Sequence, residues 1–375
     1  MSDHPPITDH HSPPAPAAPA APAARGAATN PPNRFERLSI ELEPGALLDD
    51  DGVPLPTRTV FYRDDTQSVI TFNDSPDIPF RAGVSPYRGC EHGCAYCYAR
   101  PFHEYLGFSA GLDFETKIMV KERAPELLRA ELSKKSWRPE PISISGITDV
   151  YQPIERRLGL TRRCLEVFAE FRQPVGIVTK NHLIVRDIDH LAELAKWNAV
   201  SVCISLTTLD AELAKVLEPR ASRPARRLAA IAELSAAGIP VRVLTAPIIP
   251  GLNDHEIPAL LAAAAEAGAR GAGYTIVRLP HAVAPLFEAW LERHVPGQKD
   301  KVLGRIRELR GGKLYEAKFG ARMRGEGPLA AQIKALFTLA KRKAGLDGRH
   351  LGMDESELST AAFRVPTAQL SLFDP

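Results

Sequence analysis

The chain predicts an α/β fold in which short parallel strands and amphipathic helices alternate into a partial, TIM-like (β/α)6 barrel, with C-terminal flanking helices and disordered tails. Three observations carry that expectation. Short β-rich runs recur at 141–145, 175–179, 200–206, 241–245 and 274–277, and the text between them has helical apolar spacing. A further strand placed before Cys90 brings the repeats to six, and right-handed crossovers between successive parallel strands wind them into a barrel or part of one. At 375 residues and 44% hydrophobic content, the chain can bury a large core, about the upper size of one domain.

Taken in order, residues 1–33 are Pro/Ala-rich with almost no large apolar side chain, so burial cannot offset the entropy of ordering and a disordered tail is expected. Residues 34–80 read as an irregular lead-in with one strand candidate at 68–72, closed by the turn-rich Asn73-Asp-Ser-Pro76. Residues 81–282 hold the barrel. Residues 283–350 read as a basic helical extension, with helices near 283–294, 299–310 and 327–345, and residues 351–375 as a flexible tail. No apolar run reaches the roughly eighteen residues of a membrane span, and the N-terminus lacks the basic-then-apolar order of a secretory signal. A cytoplasmic protein without membrane partners is expected.

Chemistry concentrates in Arg88-Gly-Cys-Glu-His-Gly-Cys-Ala-Tyr-Cys-Tyr98, where Cys90, Cys94 and Cys97 stand in a C-x3-C-x2-C spacing. Three thiolates on one short loop can hold three irons of a 4Fe–4S cube and leave the fourth iron without a protein ligand, open for chemistry. Structural zinc usually takes four ligands, commonly as two separated pairs, although His92 could serve as a fourth. A disulfide suits an oxidising compartment better than this chain. Cys164 and Cys203 are too few for a second cluster and read as core thiols in a helix and a strand. In β/α barrels active sites lie at the C-terminal strand ends, which makes the residues following each strand the candidates.

The cluster loop resembles that of the radical SAM superfamily. Ser85-Pro-Tyr-Arg-Gly-Cys90, Thr148-Asp149 followed by Tyr151-Gln-Pro-Ile-Glu155, Glu218-Pro-Arg-Ala221 and Ala246-Pro-Ile-Ile-Pro-Gly-Leu-Asn-Asp254 carry a closer resemblance to its spore photoproduct lyase-like branch, over about 35–345. The resemblance implies a 4Fe–4S cluster on Cys90, Cys94 and Cys97, with S-adenosylmethionine on the open iron. An electron from an unidentified low-potential donor then yields a 5′-deoxyadenosyl radical that abstracts hydrogen. It also implies that Thr148, Lys180 and Ser205 contact the methionine and ribose parts of S-adenosylmethionine, that Pro247 to Gly251 lie along the adenine, and that Tyr96 sits beside the cluster. Tyr98 matches a tyrosine implicated in hydrogen return. One departure stands out: Gly146 occupies the place of the lyase's hydrogen-donating cysteine, so the resemblance extends to radical formation but not to the lyase's thiol step.

Net charge is only +2, but between 299 and 324 basic residues outnumber acidic ones by about three to one, with Tyr315 and Phe319 interleaved. That pattern suits a phosphate-binding surface, against the plainer reading of a solvated helical face with ion pairs. Arg220, Arg223, Arg226 and Arg227 form a second basic cluster. Finally, Gln369, Leu370, Ser371, Leu372 and Phe373 match the pentapeptide by which many bacterial replication and repair proteins dock onto the β sliding clamp. The expectation is a radical SAM enzyme acting on DNA or another nucleic acid in a repair-like role. The alternatives are the same chemistry on a protein or small metabolite, and a non-enzymatic metal-binding module recruited to the clamp.

Overall fold

The computed structural model describes residues 24–36, 58–347 and 358–366. Ten strands are present among them: β1 Val60–Arg63, β2 Ile70–Phe72, β3 Ala82–Val84, β4 Tyr87–Arg88, β5 Lys117–Val120, β6 Ile142–Ile144, β7 Val175–Thr179, β8 Val200–Ser205, β9 Val241–Ile248 and β10 Gly271–Ile276. The main sheet runs in the order β10-β9-β8-β7-β6-β3-β2. From β3 to β10 every neighbouring pair is parallel, whereas β2 is antiparallel to β3. The six parallel strands are the expected repeats, and since β10 and β2 form the two edges, the barrel is partial.

Burial explains the placement. All six residues of β8 are buried, as a strand with neighbours on both sides and covered faces requires, while Thr71 and Phe72 of edge strand β2 are exposed. The crossover helices turn one apolar stripe to the sheet. In Leu160–Phe171 the buried set is Leu160, Thr161, Cys164, Leu165, Val167, Phe168 and Phe171, the i, i+3, i+4 spacing of an amphipathic helix. Cys164 and Cys203 are buried free thiols, as expected.

A second sheet, β1-β5-β4, was not foreseen; its strands are short, and β1 is exposed along its whole length. It packs beside the cysteine loop and sets where that loop begins. The expected helices appear as Val283–His294, Lys299–Glu308 and Gly327–Lys343. They share the barrel's core, because Val302, Ile306, Ile333, Phe337 and Leu346 belong to the same apolar cluster as the strands. Asp347 bridges Gly271 at the β10 edge. Among the described residues no helix is long and apolar enough to cross a membrane.

Two tail expectations need correcting. Residues 24–33 are not free of the body: Arg25 and Ala27 are buried, and Gly26 passes so close to the cysteine loop that a Cβ there would stand 1.8 Å from Gly93 O. Burial under another segment supplies what the local composition lacks. Residues 358–366 likewise fold back, with Arg364 N donating to Phe171 O at 2.9 Å and the Phe363 ring 6.2 Å from that of Phe171. The rest of both tails, including Gln369 to Phe373, lies outside the described residues.

Candidate active site

The cysteine loop leaves β4 and is pinned by its backbone. Cys90 N donates to Phe114 O at 2.9 Å and Ala95 N to Leu217 O at 3.0 Å. Cys90 and Cys94 are buried and Cys97 is half-buried. Three segments brace the loop. Glu91 accepts from Ile154 N at 2.9 Å and pairs with Arg220 at 2.9 Å, while Glu91 N donates to Gln152 Oε1 at 2.9 Å. Beneath it, the buried Glu115 carboxylate accepts from Gly26 N at 3.1 Å, Ala27 N at 2.8 Å and Arg100 Nη2 at 2.5 Å. Arg100 also donates to Cys94 O at 2.9 Å, which ties the N-terminal segment to the loop through one buried ion pair.

His92 is buried within the loop. Its Nε2 lies 3.2 Å from Asn181 Nδ2 and its Nδ1 3.3 Å from Asp149 Oδ2. Asp149 also accepts from Thr179 Oγ1 at 2.7 Å and Lys180 N at 2.8 Å. Burial opposes both charges, but their mutual attraction and these donors outweigh it, so the Asp149 carboxyl is held down at about 2 and the His92 imidazole is pushed up. The Thr148-Asp149 pair therefore locks the ends of β6 and β7 to the loop.

A second buried constellation surrounds Tyr96. Its hydroxyl donates to Glu218, which Arg227 holds from the other side, and Thr207 Oγ1 donates to Glu218 at 2.7 Å. Arg227 also donates to Ser205 O at 3.1 Å, connecting the end of β8. The Lys180 ammonium stands 5.8 Å from the Tyr96 ring centre; burial lowers its proton affinity, but the Cys94 and Glu218 charges prevail and raise it. Lys180 is thus a cation facing the cysteine loop.

The other expected site residues separate. Thr148 Oγ1 donates to Gly89 O at 2.6 Å and accepts from Gln152 Nε2 at 3.1 Å, so its hydroxyl braces the loop. Gly251, at φ +87, has the Arg305 and Lys301 side chains against it, and Asn253 shapes the turn by donating to Thr207 O at 2.8 Å and Pro247 O at 3.1 Å. Tyr98 opens to the mouth, 42% exposed, with its hydroxyl donating to Gly146 O at 2.7 Å. Gly146 has φ +110 and open space where a Cβ would stand. Its backbone sits in a region that L side chains rarely adopt, a geometric reason for glycine in place of a thiol.

The donor set fits a 4Fe–4S cluster. Burial pushes the Cys94 and Cys97 thiols up, with the neighbouring cysteines adding to it, while Lys180 favours both thiolates and Arg100 favours that of Cys97. Among the described residues no three His, Cys, Asp or Glu side chains converge on a single ion. A cube takes each thiolate on its own iron, which three cysteines on one loop supply.

The basic region is largely committed. Arg305 pairs with Asp254, Arg307 with Glu288 and Lys318 with Glu326, and Arg322 Nε donates to Asp77 at 2.7 Å. Arg220, Arg223, Arg226 and Arg227 all serve internal contacts. Sequence reasoning missed Glu115, Arg100 and the Glu218–Arg227 pair as site-building groups; the one available signal was that Glu218 lies in a quoted motif.

The radical SAM superfamily profile matches residues 84–264. An uncharacterized protein of Mycobacterium tuberculosis is 39% identical over 234 residues, covering 62% of this chain and 68% of the relative. A radical SAM Nα-GlyT isomerase of Pseudomonas phage M6 is 31% identical over 176 residues, 46% of this chain and 34% of the isomerase. A point mutant of spore photoproduct lyase superposes with a TM-score of 0.58 at 14% identity, covering 84% of this chain and 86% of the lyase. The same lyase complexed with dinucleoside spore photoproduct gives 0.55 at 15% identity, over 76% and 79% of the two chains. At such identities these likenesses speak for the fold.

Proposed function

The chain belongs to the radical SAM superfamily, and from that premise we propose that it is an enzyme acting on nucleic acid, in a repair-like role. The superfamily's cofactors, a 4Fe–4S cluster and S-adenosylmethionine, are its cofactors, and together they supply a 5′-deoxyadenosyl radical that abstracts hydrogen. Cys90, Cys94 and Cys97 hold the cluster. Lys180, a cation beside Cys94 with no ion pair among the described residues, binds the methionine carboxylate. Ser205, at the end of β8, offers its hydroxyl to the ribose or amino group, and the Pro247–Gly251 turn shaped by Asn253 flanks the adenine. Thr148 acts by positioning the loop backbone, and Tyr96, fixed by Glu218, would form one wall of the cofactor site. Tyr98 faces the substrate across the space left by Gly146.

The observation that carries the substrate class is the lining of the mouth. The Arg278 guanidinium lies 5.1 Å from the centre of the exposed Tyr98 ring, giving a cation and an aromatic face together where a strand of nucleic acid would lie, while Arg324 stands over the buried Tyr274 ring just behind them. The solved lyase with a dinucleoside photoproduct supports the same class by its fold. Docking of Gln369 to Phe373 on the sliding clamp would bring the enzyme to DNA in the cytoplasm, with a low-potential protein as electron donor. The test is anaerobic reconstitution with iron and sulfide, reduction with S-adenosylmethionine, and chromatography for 5′-deoxyadenosine with and without DNA. Product that rises with DNA supports the reading; product whose rate ignores DNA overturns the nucleic-acid assignment.

A further inference from the structure

We propose that Arg278 is a substrate-binding residue that takes a backbone phosphate of the nucleic acid strand beside Tyr98, an inference that rests on the nucleic-acid reading above. Arg278 follows the end of β10 by two residues, at the rim where the parallel strands open. Its guanidinium stands over the Tyr98 ring, its Nη1 meets the Met323 thioether at 3.6 Å, and its Nε is buried without a hydrogen-bond partner. No ion pair serves it among the described residues, for the nearby Asp77 carboxylate is taken by Arg322.

Arg310 compounds the imbalance. Its guanidinium donates to Ala321 O at 2.6 Å and Val277 O at 3.0 Å, its Nε is also unpartnered, and burial and the Arg278 charge both lower its proton affinity. Two neighbouring, partly desolvated cations repel, and Asp77 and Glu316 offset that only through space, with no ion pair to either guanidinium among the described residues, whereas an oxyanion on the accessible side of Arg278 would relieve the repulsion. Guanidinium forks suit phosphate oxygens, and the exposed Tyr98 ring alongside suits stacking of the adjacent base. The open space above Gly146 leaves the strand room to descend.

The experiment measures binding of a fluorescein-labelled single-stranded dodecanucleotide to the reconstituted enzyme by anisotropy across a salt series. Arg278→Gln should weaken binding by about tenfold at low salt and flatten the slope of log K against log salt by about 0.7, the share of one phosphate on a single strand. Arg278→Lys should keep the slope while losing part of the affinity, and it decides the matter if the Gln variant does not hold its fold. Arg364→Gln, on the segment that packs against Phe171, should change neither. A Gln variant with wild-type affinity and slope, or a Lys variant that loses the slope, overturns the assignment even if DNA still stimulates 5′-deoxyadenosine formation. A wild-type enzyme that fails to bind the oligonucleotide overturns both this inference and the nucleic-acid reading.

Discussion

Glu218 joins a loop residue, Tyr96, to the region after β8 through Thr207, whose hydroxyl oxygen also lies 3.2 Å from Ala246 O on β9. Glu218 and Arg227 are both buried, so removing one leaves the other as an uncompensated charge. Glu218→Ala should therefore cost about 3–5 kcal/mol, read as a fall in the denaturant midpoint, and an unchanged midpoint would show that the pair is not the bolt described. Cys94→Ala should behave oppositely. It would remove a proposed cluster ligand while Glu218 still faces the Lys180 charge, so iron content and 5′-deoxyadenosine formation should vanish while the far-ultraviolet spectrum stays native. The cysteines were legible in the sequence because their spacing is local. The Tyr96–Glu218 contact spans 122 residues, and no periodicity announces a pairing at that range. Thr148 was expected to contact S-adenosylmethionine, whereas its hydroxyl in the structure bonds Gly89 O and Gln152 Nε2, since a motif gives a residue's position and not the direction of its hydroxyl.

Among the elements, the parallel strands were readable where β-branched residues are dense, as with Val175, Ile177, Val178 and Thr179 in β7 and Val200, Val202 and Ile204 in β8. The start of β10, Gly271-Ala-Gly, has little side chain to carry a pattern and was missed, as was the small β1-β5-β4 sheet. The short helix Arg100–Leu106 after the cysteine loop holds a testable feature. His103 is buried, its ring 5.3 Å from Phe108 and 5.6 Å from Phe114, and burial holds it at about 4 against an ordinary 6.5. The unfolded chain takes up this proton near 6.5 and the folded chain only near 4, so the contribution is full above the higher value and is lost as pH falls toward the lower one. Between pH 7.5 and 5 that amounts to about 2 kcal/mol. His103→Phe should flatten this part of the stability profile in denaturant titrations, and an equally steep profile in the variant would assign the acid sensitivity elsewhere.

For the whole molecule, the N-terminal segment, the barrel and the C-terminal helices converge on one loop and one mouth. Arg25 to Ala27 close the loop from below, while the helix Gly327–Lys343 packs Phe337 against Tyr274, ring centres 4.5 Å apart, behind the cationic rim. Residues 358–366 return across Phe171 and Asn198, just before β7 and β8, which starts the last stretch of chain at the end of the barrel opposite the mouth. Replacing Leu372 and Phe373 together with Ala should abolish binding to purified clamp and leave 5′-deoxyadenosine formation unchanged; retained clamp affinity would remove the tail from the account.

On this reading, the hydrogen is taken from nucleic acid at this mouth. The most direct measurement is a turnover with fully deuterated DNA, followed by mass spectrometry of 5′-deoxyadenosine and recovered S-adenosylmethionine. Deuterium is expected at the 5′ carbon in one or both. Abundant 5′-deoxyadenosine without deuterium in either species would contradict it and direct the radical to a different substrate.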